Sequence, residues 1–328
     1  MAEKKIIPGL DVLKFLMALL IVDIHVHGSA LTPPLLLNSF IHPIEGIAVP
    51  EFFVISAFLF FRKVRQAEHS LQNILHFEKR LIILYLFWVI VWSPIILLQK
   101  QYHTYGFVEG VGVFIRDFFF GNTFDASWFL GALIVGMPIV WGLSKLFKEW
   151  LVWVIPLAVH LYLIYHQSLP HAWQAPYDFY NSFKDPGLAF PGGLIWITIG
   201  YYLSNERVID FIVHVKNKIW WLSVALAFIV MVLGIIPVVP MMILVAVIFA
   251  AAYTWKLPEH PALYKRLRNY SILFYVIHDS FKKIPKQLFG WQNGPLLYAV
   301  TIVVCFLSSE FIIRMKDVKG FHWLRYAY

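Results

Sequence analysis

Cysteine is nearly absent from this chain, and charged residues are scarce. The one cysteine, Cys305, lies within an apolar run, so an intramolecular disulfide and a cysteine-rich metal site are both excluded. Charged residues make up 14% of the 328 positions, whereas a soluble globular domain has about 25%. This scarcity of charge excludes an ordinary soluble domain.

Hydrophobic residues, by contrast, form 60% of the chain. Their runs predict transmembrane helices at 10–31, 44–61, 80–98, 127–144, 150–166, 187–203, 218–236, 238–255, 271–289 and 295–314. Only the turn Ile236-Pro237-Val238-Val239-Pro240 separates the seventh run from the eighth, so these two can be miscounted. We find no internal repeat and no appended soluble domain. We therefore expect an all-α polytopic membrane bundle of about ten helices, with residues 1–328 forming one integral-membrane domain.

The first run has an alternative interpretation as a cleaved signal peptide. Lys4 and Lys5 precede it, and Gly28-Ser29-Ala30 resembles a cleavage site. The run is long for a signal core, however, and it contains Asp23 and His25. We therefore expect it to be retained as a membrane helix.

The basic residues indicate how the bundle is oriented. With the N-terminus inside, twenty Lys and Arg residues fall in predicted cytoplasmic segments and six in external ones. Cytoplasmic loops of membrane proteins carry such an excess. We therefore expect both termini inside, in the inner (cytoplasmic) cell membrane. The net charge of +8 then reflects these loops, and no nucleic-acid partner is expected.

His25 is the most informative residue, because a titratable side chain within a membrane helix is costly and is a functional candidate by default. Lys14 precedes it by eleven residues, which places both on one helical face about 16 Å apart. A cation at the inner end and a base further out suit a long anionic donor that enters from the cytoplasm. Alternatively, Asp11 and Lys14 simply pair at the interface, and His25 is a packing residue.

A catalytic histidine needs a partner that orients it. Glu51 is our first candidate, because it and His25 lie about six residues inside the external ends of neighbouring predicted spans. Asp23 and His27 are the rival candidates, although their i,i+4 spacing lets these two satisfy each other. The histidines lack a metal-ligand spacing, so we expect no metal site.

Three further groups of residues are candidates for binding. Ser271, Tyr275 and His278 share one face of the ninth span, where they either bind substrate or link helices. Trp128 opens the fourth span, where an interfacial anchor is the alternative role. The external loop 167–186 mixes aromatic and hydrogen-bonding residues, which suits either a sugar ligand or a membrane interface.

Together, these motifs resemble the acyltransferase 3 family of bacterial polytopic membrane O-acyltransferases. That family typically begins Leu-Asp-x-Leu-Arg, followed by a small residue and a histidine, which is similar to Leu10-Asp11-Val12-Leu13-Lys14, Ala18 and His25. Its second-span signature, Phe-Phe-x-x-Ser-Gly-Phe/Tyr, resembles Phe52-Phe53-Val54-Ile55-Ser56-Ala57-Phe58. Its basic motif before span three, its His-x-Trp-Phe-Leu stretch and its late Ser…Tyr-x-x-His resemble Lys79-Arg80-Leu81, Ser127-Trp128-Phe129-Leu130 and Ser271…Tyr275-Val276-Ile277-His278.

The chain departs from the family pattern in four places. Lys14 stands where arginine is usual, and lysine lacks the bidentate fork of arginine. Ala57 replaces the usual glycine, and Ile83 stands where a second arginine would complete Arg-x-x-Arg. Glu51 is not the typical residue before the phenylalanine pair. These departures concern the donor site more than His25.

The resemblance implies transfer of an acyl group from cytoplasmic acyl-CoA to a hydroxyl of an extracytoplasmic polysaccharide or lipid-linked glycan. Acetyl-CoA is the expected co-substrate, with succinyl as the alternative acyl group, and no bound cofactor is expected. His25 would be the catalytic base, and Glu51, chosen for its matched depth, would be its catalytic partner. The donor would bind at Lys14, Asp11, Lys79 and Arg80, with its phosphates on the three basic residues, and the acceptor would bind at Ser56, Trp128, Tyr275 and His278.

The main alternative is a membrane transporter or exporter of a glycan or its precursor. In that case His25, Glu51 and His278 would line a proton or substrate path. Many transporters contain interrupted helices in corresponding halves, and we find no such repeat in this sequence. A sensory or scaffold protein is a third possibility, although it would not require an intramembrane histidine and glutamate at matched depth.

Overall fold

The computed structural model describes residues 7–66, 70–100, 102–233 and 239–328. Lys4, Lys5 and most of the predicted turn at 236–240 lie outside the described residues. Within these ranges every regular element is helical, which confirms the predicted all-α class. The α-helices are α1 (Pro8–Val26), α2 (Pro34–Leu36), α3 (His42–Gly46), α4 (Ala48–Arg65), α5 (Ser70–Val91), α6 (Ser93–Lys100), α7 (Phe107–Phe119), α8 (Trp128–Leu146), α9 (Val154–Tyr165), α10 (His171–Asn181), α11 (Phe190–Leu203), α12 (Glu206–His214), α13 (Asn217–Val232), α14 (Val239–Tyr253), α15 (Pro261–Phe289) and α16 (Pro295–Met315).

Tighter or wider helical turns connect some of these helices. A π-helical turn joins α2 to α3 at Leu37–Ile41. The 3-10 turns are Tyr102–Thr104, Asp125–Ser127, Glu149–Trp153, His166–Ser168 and His322–Ala327.

Several of the helices suit a membrane. Each of the ten predicted segments overlaps a helix, and four continuous helical stretches are long and apolar enough to cross a bilayer: Pro34–Arg65, Asp125–Leu146, Glu149–Ser168 and Pro295–Met315. A fifth arises if α12 and α13, which meet at 98°, form one broken span. These helices are compatible with a multi-pass membrane protein. The number of ten spans and their orientation stay predictions.

The first predicted segment extends too far at its C-terminal end. Helix α1 ends at Val26, because His27 adopts a left-handed conformation with φ of 50° and its N–H bonds to the carbonyl of Asp23. Such a residue commonly ends a helix. Hydropathy does not detect this boundary, since apolar residues continue beyond it.

The chain forms two compact units, and the boundary between their sequences falls inside α4. The first unit comprises Met1–Ile55 and Asn205–Tyr328, and the second comprises Ser56–Ser204. In the first unit α1 packs mainly against α15, with α14 and α16 also in contact. Gly9 permits the close approach of α1 to α14, because a Cβ there would collide with the backbone carbonyl of Ala252.

Helices α1 and α15 run in the same direction. Asp11 near the start of α1 contacts Arg268, and His25 near its end contacts His278, so both sequences ascend together. Between these contacts Phe15 packs on Phe274, with the two ring centroids 5.7 Å apart. Both helices are therefore fixed at two levels, about four turns apart along α1 and about three turns apart along α15. The predicted arrangement of spans also makes the first and ninth parallel.

Helix α15 begins ten residues before the predicted span at 271. Its first turns carry basic side chains, which lower their hydropathy, but acidic residues from distant parts of the chain neutralise two of them. Arg268 pairs with Asp11, and Arg266 pairs with Glu310 of α16. Glu310 also accepts a hydrogen bond from Tyr270. Long-range pairing thus extends the packed helix into a polar segment.

The second unit is built around α8, which packs on α5, α7 and α11, and α9 packs on α11. Tyr85 stacks on Phe118 with ring centroids 4.1 Å apart. Arg65 donates hydrogen bonds to Ser204 at 3.1 Å and to Glu149 at 2.6 Å. It therefore links the end of α4 to the residue after α11 and to the 3-10 turn before α9. Ser56, Lys79, Arg80 and Trp128 belong to this unit.

Candidate active site

Two histidines face each other where the C-terminal end of α1 packs on α15: His25 of α1 and His278 of α15. The Nδ1 of His25 lies 2.8 Å from the carbonyl oxygen of Ile21. A carbonyl only accepts, so Nδ1 carries the hydrogen and Nε2 keeps its lone pair. The His25 side chain is half-buried. His25 is thus held in one tautomer, and its side chain is not fully enclosed.

His278 repeats this arrangement on α15. Its Nδ1 donates to the carbonyl of Phe274 at 2.9 Å, and it is fully buried. Its Nε2 has no hydrogen-bond partner among the described residues. The two imidazole rings meet edge to face, with centroids 4.9 Å apart. Tyr275, predicted beside His278, lies with its ring 6.4 Å from that imidazole.

Asp279 completes this cluster, and sequence reasoning did not single it out. It is 3% exposed, and its carboxylate pairs with Lys282 one turn further along α15. One ring nitrogen each of His25 and His278 and one carboxylate oxygen of Asp279 lie within 4.8 Å of one another. The histidines lack a metal-ligand spacing along the sequence, and the absence of a metal site stays a prediction. His25 and His278, which are 253 positions apart, are nevertheless brought together by the fold.

Glu51, predicted to partner His25, does not form that hydrogen bond. Its side chain is fully buried, and both carboxylate oxygens lack a hydrogen-bond partner in the described part of the chain. Matched depth along two helices does not fix the rotation of each helix about its axis. The rival Asp23 accepts the backbone N–H of Ser29 at 3.1 Å and thereby orders the turn after α1. The ring found against His25 is instead that of His278.

At the other end of α1, Asp11 holds an arginine. Its two oxygens accept hydrogen bonds from Arg268, both at 2.7 Å, and the Asp11 carboxylate is nearly buried. These bonds raise the pKa of Arg268, so it stays charged. Sequence reasoning missed Arg268, because 257 residues separate it from Asp11. Half-buried Lys14 lies one turn after Asp11. A donor-binding role for these two residues stays a prediction.

The remaining predicted residues lie in the second unit. Lys79 and Arg80 are exposed on α5, and Ser56 is half-buried in α4. Trp128 is buried at the start of α8, and the ammonium of Lys184 lies 5.3 Å from its ring centroid. Their roles in binding donor or acceptor stay predictions.

Comparison with known proteins is consistent with the motifs. No curated protein and no solved structure significantly matches the chain. The model of a family described as an acyltransferase domain matches residues 7–314. This match runs from the residue before α1 to the last turn of α16 and includes His25, Glu51 and His278. The chain therefore belongs to the acyltransferase 3 family, and this membership suggests membrane acyltransferase activity.

Proposed function

We propose that this protein is a membrane O-acyltransferase. It takes an acyl group, with acetyl as the first choice and succinyl as the alternative, from cytoplasmic acyl-CoA. It transfers this group to a hydroxyl of an extracytoplasmic polysaccharide or lipid-linked glycan. The observation that carries the proposal is the environment of His25, whose Nδ1 bonds to the Ile21 carbonyl, in a chain that matches the family over 7–314.

In this mechanism Nε2 of His25 takes the proton of the acceptor hydroxyl as its oxygen attacks the thioester carbonyl. The C–O bond forms first, and the tetrahedral intermediate then expels the CoA thiolate as the C–S bond breaks. The imidazolium returns its proton to the thiolate, which leaves as CoA thiol. General-base catalysis of this kind contributes about 10²–10⁴ in rate.

The Ile21 carbonyl supports this role for His25 in two ways. It fixes Nδ1 as the protonated nitrogen, so the nitrogen away from the helix backbone is the basic one. Its oxygen also lies where the ring becomes positively charged, and a hydrogen bond to the charged form favours that form. A backbone carbonyl thus takes the orienting role that we predicted for Glu51.

The donor would lie along α1 with its phosphates towards Lys14. About 16 Å of helix separates Lys14 from His25, which is a suitable span for the extended arm of a coenzyme A thioester. Arg268 adds a second cation at this end, and it is 25% exposed and held by Asp11. Lys79 and Arg80 are further donor-binding candidates from the second unit. Lys14 stands in place of the family's arginine and cannot make a bidentate contact with a phosphate. Arg268 can supply that contact instead.

The acceptor would contact Tyr275 and His278 next to His25, and Ser56 and Trp128 are candidates from the second unit. Glu51 remains a candidate catalytic residue on the ground of its burial alone. A carboxyl group that is fully buried and unbonded within the described residues costs free energy. Such groups in membrane helices are commonly functional.

The test uses oriented membrane vesicles that contain the full chain. Acyl-labelled acyl-CoA is supplied on the cytoplasmic side, and base-labile label is measured on external glycan. We expect label in the wild type and its loss in His25→Gln. The matched control is His27→Asn, which removes an exposed histidine two residues away and tolerates the same left-handed backbone. Label transfer that survives His25→Gln contradicts the mechanism, and movement of unmodified glycan without any label supports the transporter alternative.

A further inference from the structure

We propose that His25, His278 and Asp279 form a binding site for a divalent transition-metal ion of the zinc class. A ring nitrogen from each histidine and a carboxylate oxygen lie within 4.8 Å of one another. Two imidazoles and one carboxylate are a common ligand set for Zn²⁺ and neighbouring first-row ions. Three such ligands leave a fourth position of a tetrahedral site open to water.

The hydrogen bonds behind both histidines are those that metal ligands require. A metal-binding imidazole usually donates its other N–H to a carbonyl or carboxylate, which fixes the tautomer and the direction of the ring. His25 does so to Ile21 at 2.8 Å, and His278 does so to Phe274 at 2.9 Å. Each bond connects residues one helical turn apart, so the folded helix supplies both without further residues.

The burial of His278 is an independent indication of a ligand. Its Nε2 is enclosed and has no hydrogen-bond partner in the described ranges, and its side chain is 0% exposed. A buried acceptor without a donor destabilises the fold. A cation between His278, His25 and Asp279 would satisfy this lone pair. Half-buried His25 gives the ion a route to the site.

The distances are slightly too long for a closed site and define what must move. Zinc with bonds of about 2.0–2.1 Å places tetrahedral ligand atoms about 3.3 Å apart. The ligand atoms of the three side chains now lie up to 4.8 Å apart, so the side chains must approach one another by roughly 1.5 Å. His25 has the most space to shift, because His278 and Asp279 are buried, and the site requires a shift that keeps the Nδ1 bond to Ile21.

Lys282 is the competitor for this site. Its ammonium pairs with Asp279, and the ammonium of Lys283 lies 3.9 Å from the other carboxylate oxygen. A bound metal ion would replace Lys282 at this carboxylate and would be repelled by both lysines. Removal of the Lys282 charge should therefore strengthen metal binding, whereas a merely structural role of the cluster predicts no such gain.

The site can be tested without any assumption about catalysis. If His25 is also the proposed base, the ion and the acceptor compete for the same nitrogen lone pair, and only that consequence rests on the proposed function. Metal binding is measured on the purified full chain in detergent, in the absence of acyl-CoA and glycan. Failure to bind metal would thus leave the acyltransferase proposal untouched.

The experiment titrates Co²⁺ into the protein and follows its visible d–d absorption, with Zn²⁺ then added to displace it. We expect one ion per chain, a loss of affinity of about tenfold or more in His278→Gln and Asp279→Asn, and tighter binding in Lys282→Met. His27→Asn is the matched control and should bind as the wild type does. The reactivity of buried Cys305 towards a thiol dye on heating reports whether each variant is folded.

Three results would overturn the proposal: no Co²⁺ spectrum in the wild type, equal affinity in wild type and Asp279→Asn, or weaker binding in Lys282→Met. If His278→Gln does not fold, the opposite effects expected of Asp279→Asn and Lys282→Met still decide the matter. Both of these substitutions preserve the approximate volume of the side chain.

Discussion

The ion pair between Asp11 and Arg268 should stabilise the first unit far more than an ordinary surface pair. The perturbation is a double-mutant cycle of Asp11→Ala, Arg268→Met and both together. The Asp11 side chain is 6% exposed and that of Arg268 is 25% exposed, and the two hydrogen bonds are 2.7 Å long. The two single variants should therefore differ in their cost.

Arg268→Met leaves a buried carboxylate without its partner, which typically costs about 3–5 kcal/mol. We expect about 3 kcal/mol here, because the end of α1 is partly open to water on the side of Arg268. Asp11→Ala frees an arginine that can reach water, and the loss of its charged hydrogen bonds should cost about 2 kcal/mol. The double variant should cost about 2–3 kcal/mol instead of the sum of 5, which gives a coupling energy of about 2–3 kcal/mol.

The assay uses the single cysteine of the chain. Cys305 is fully buried in α16, within the same unit as the ion pair, so its reaction with a thiol-specific dye on heating reports the opening of that unit. One kcal/mol corresponds to roughly 2–4 °C in the midpoint. As the matched control, Arg314→Ala removes an i,i+4 partner of Glu310 that is 73% exposed, and it should cost under about 0.5 kcal/mol. Additive effects of Asp11→Ala and Arg268→Met would refute the reasoning.

Three further predictions use other parts of the first unit. Lys14→Met should raise KM for acyl-CoA about tenfold and leave kcat within about twofold, because the proposed phosphate contact, made equally in the ground and transition states, is lost. Lys14→Arg should keep both values. Steady-state kinetics measure KM and kcat for both variants. Glu51→Met should raise the midpoint of Cys305 reactivity by the equivalent of about 1–2 kcal/mol, because it removes a buried carboxyl group without a hydrogen bond. Glu310→Met should lower this midpoint, because Glu310 accepts hydrogen bonds from Arg266, Tyr270 and Arg314. Gly9→Ala should lower the same midpoint by the equivalent of about 1–3 kcal/mol through its collision with α14. Gly46→Ala, in the same unit, would meet only the flexible end of Met241 at 3.2 Å and should lower it less.

Hydropathy predicted a helix in each of the ten apolar segments, but it missed helices outside them, such as α10 within the predicted loop 167–186, and it misplaced one boundary of α1 and one of α15. Helix α1 stops at His27 because of a backbone conformation, which an apolar run does not encode. Helix α15 starts early because Arg266 and Arg268 are neutralised by residues that are distant in sequence. Hydropathy scores each residue by itself, so it detects neither the left-handed backbone at His27 nor the long-range ion pairs of Arg266 and Arg268.

The candidate site was predicted in part. The costly histidine in the first span identified His25, and helical periodicity placed Lys14 on its face. Glu51 makes no hydrogen bond to His25, because depth matching specifies height along a helix but not rotation, and a catalytic role for Glu51 stays a prediction. Asp279 went unnoticed, although its spacing to Lys282 and Lys283 is typical of intrahelical ion pairs.

The parallel packing of α1 on α15 has a consequence for how the protein is made. Asp11 is synthesised 257 residues before Arg268, and translation at about 5–20 residues per second makes that interval roughly 13–50 s. For this time the first helix carries Asp11, Lys14 and His25 without the helix that later packs against them. The ion pair at the start of α1 and the histidine contact near its end can therefore form only after about four-fifths of the chain has been synthesised.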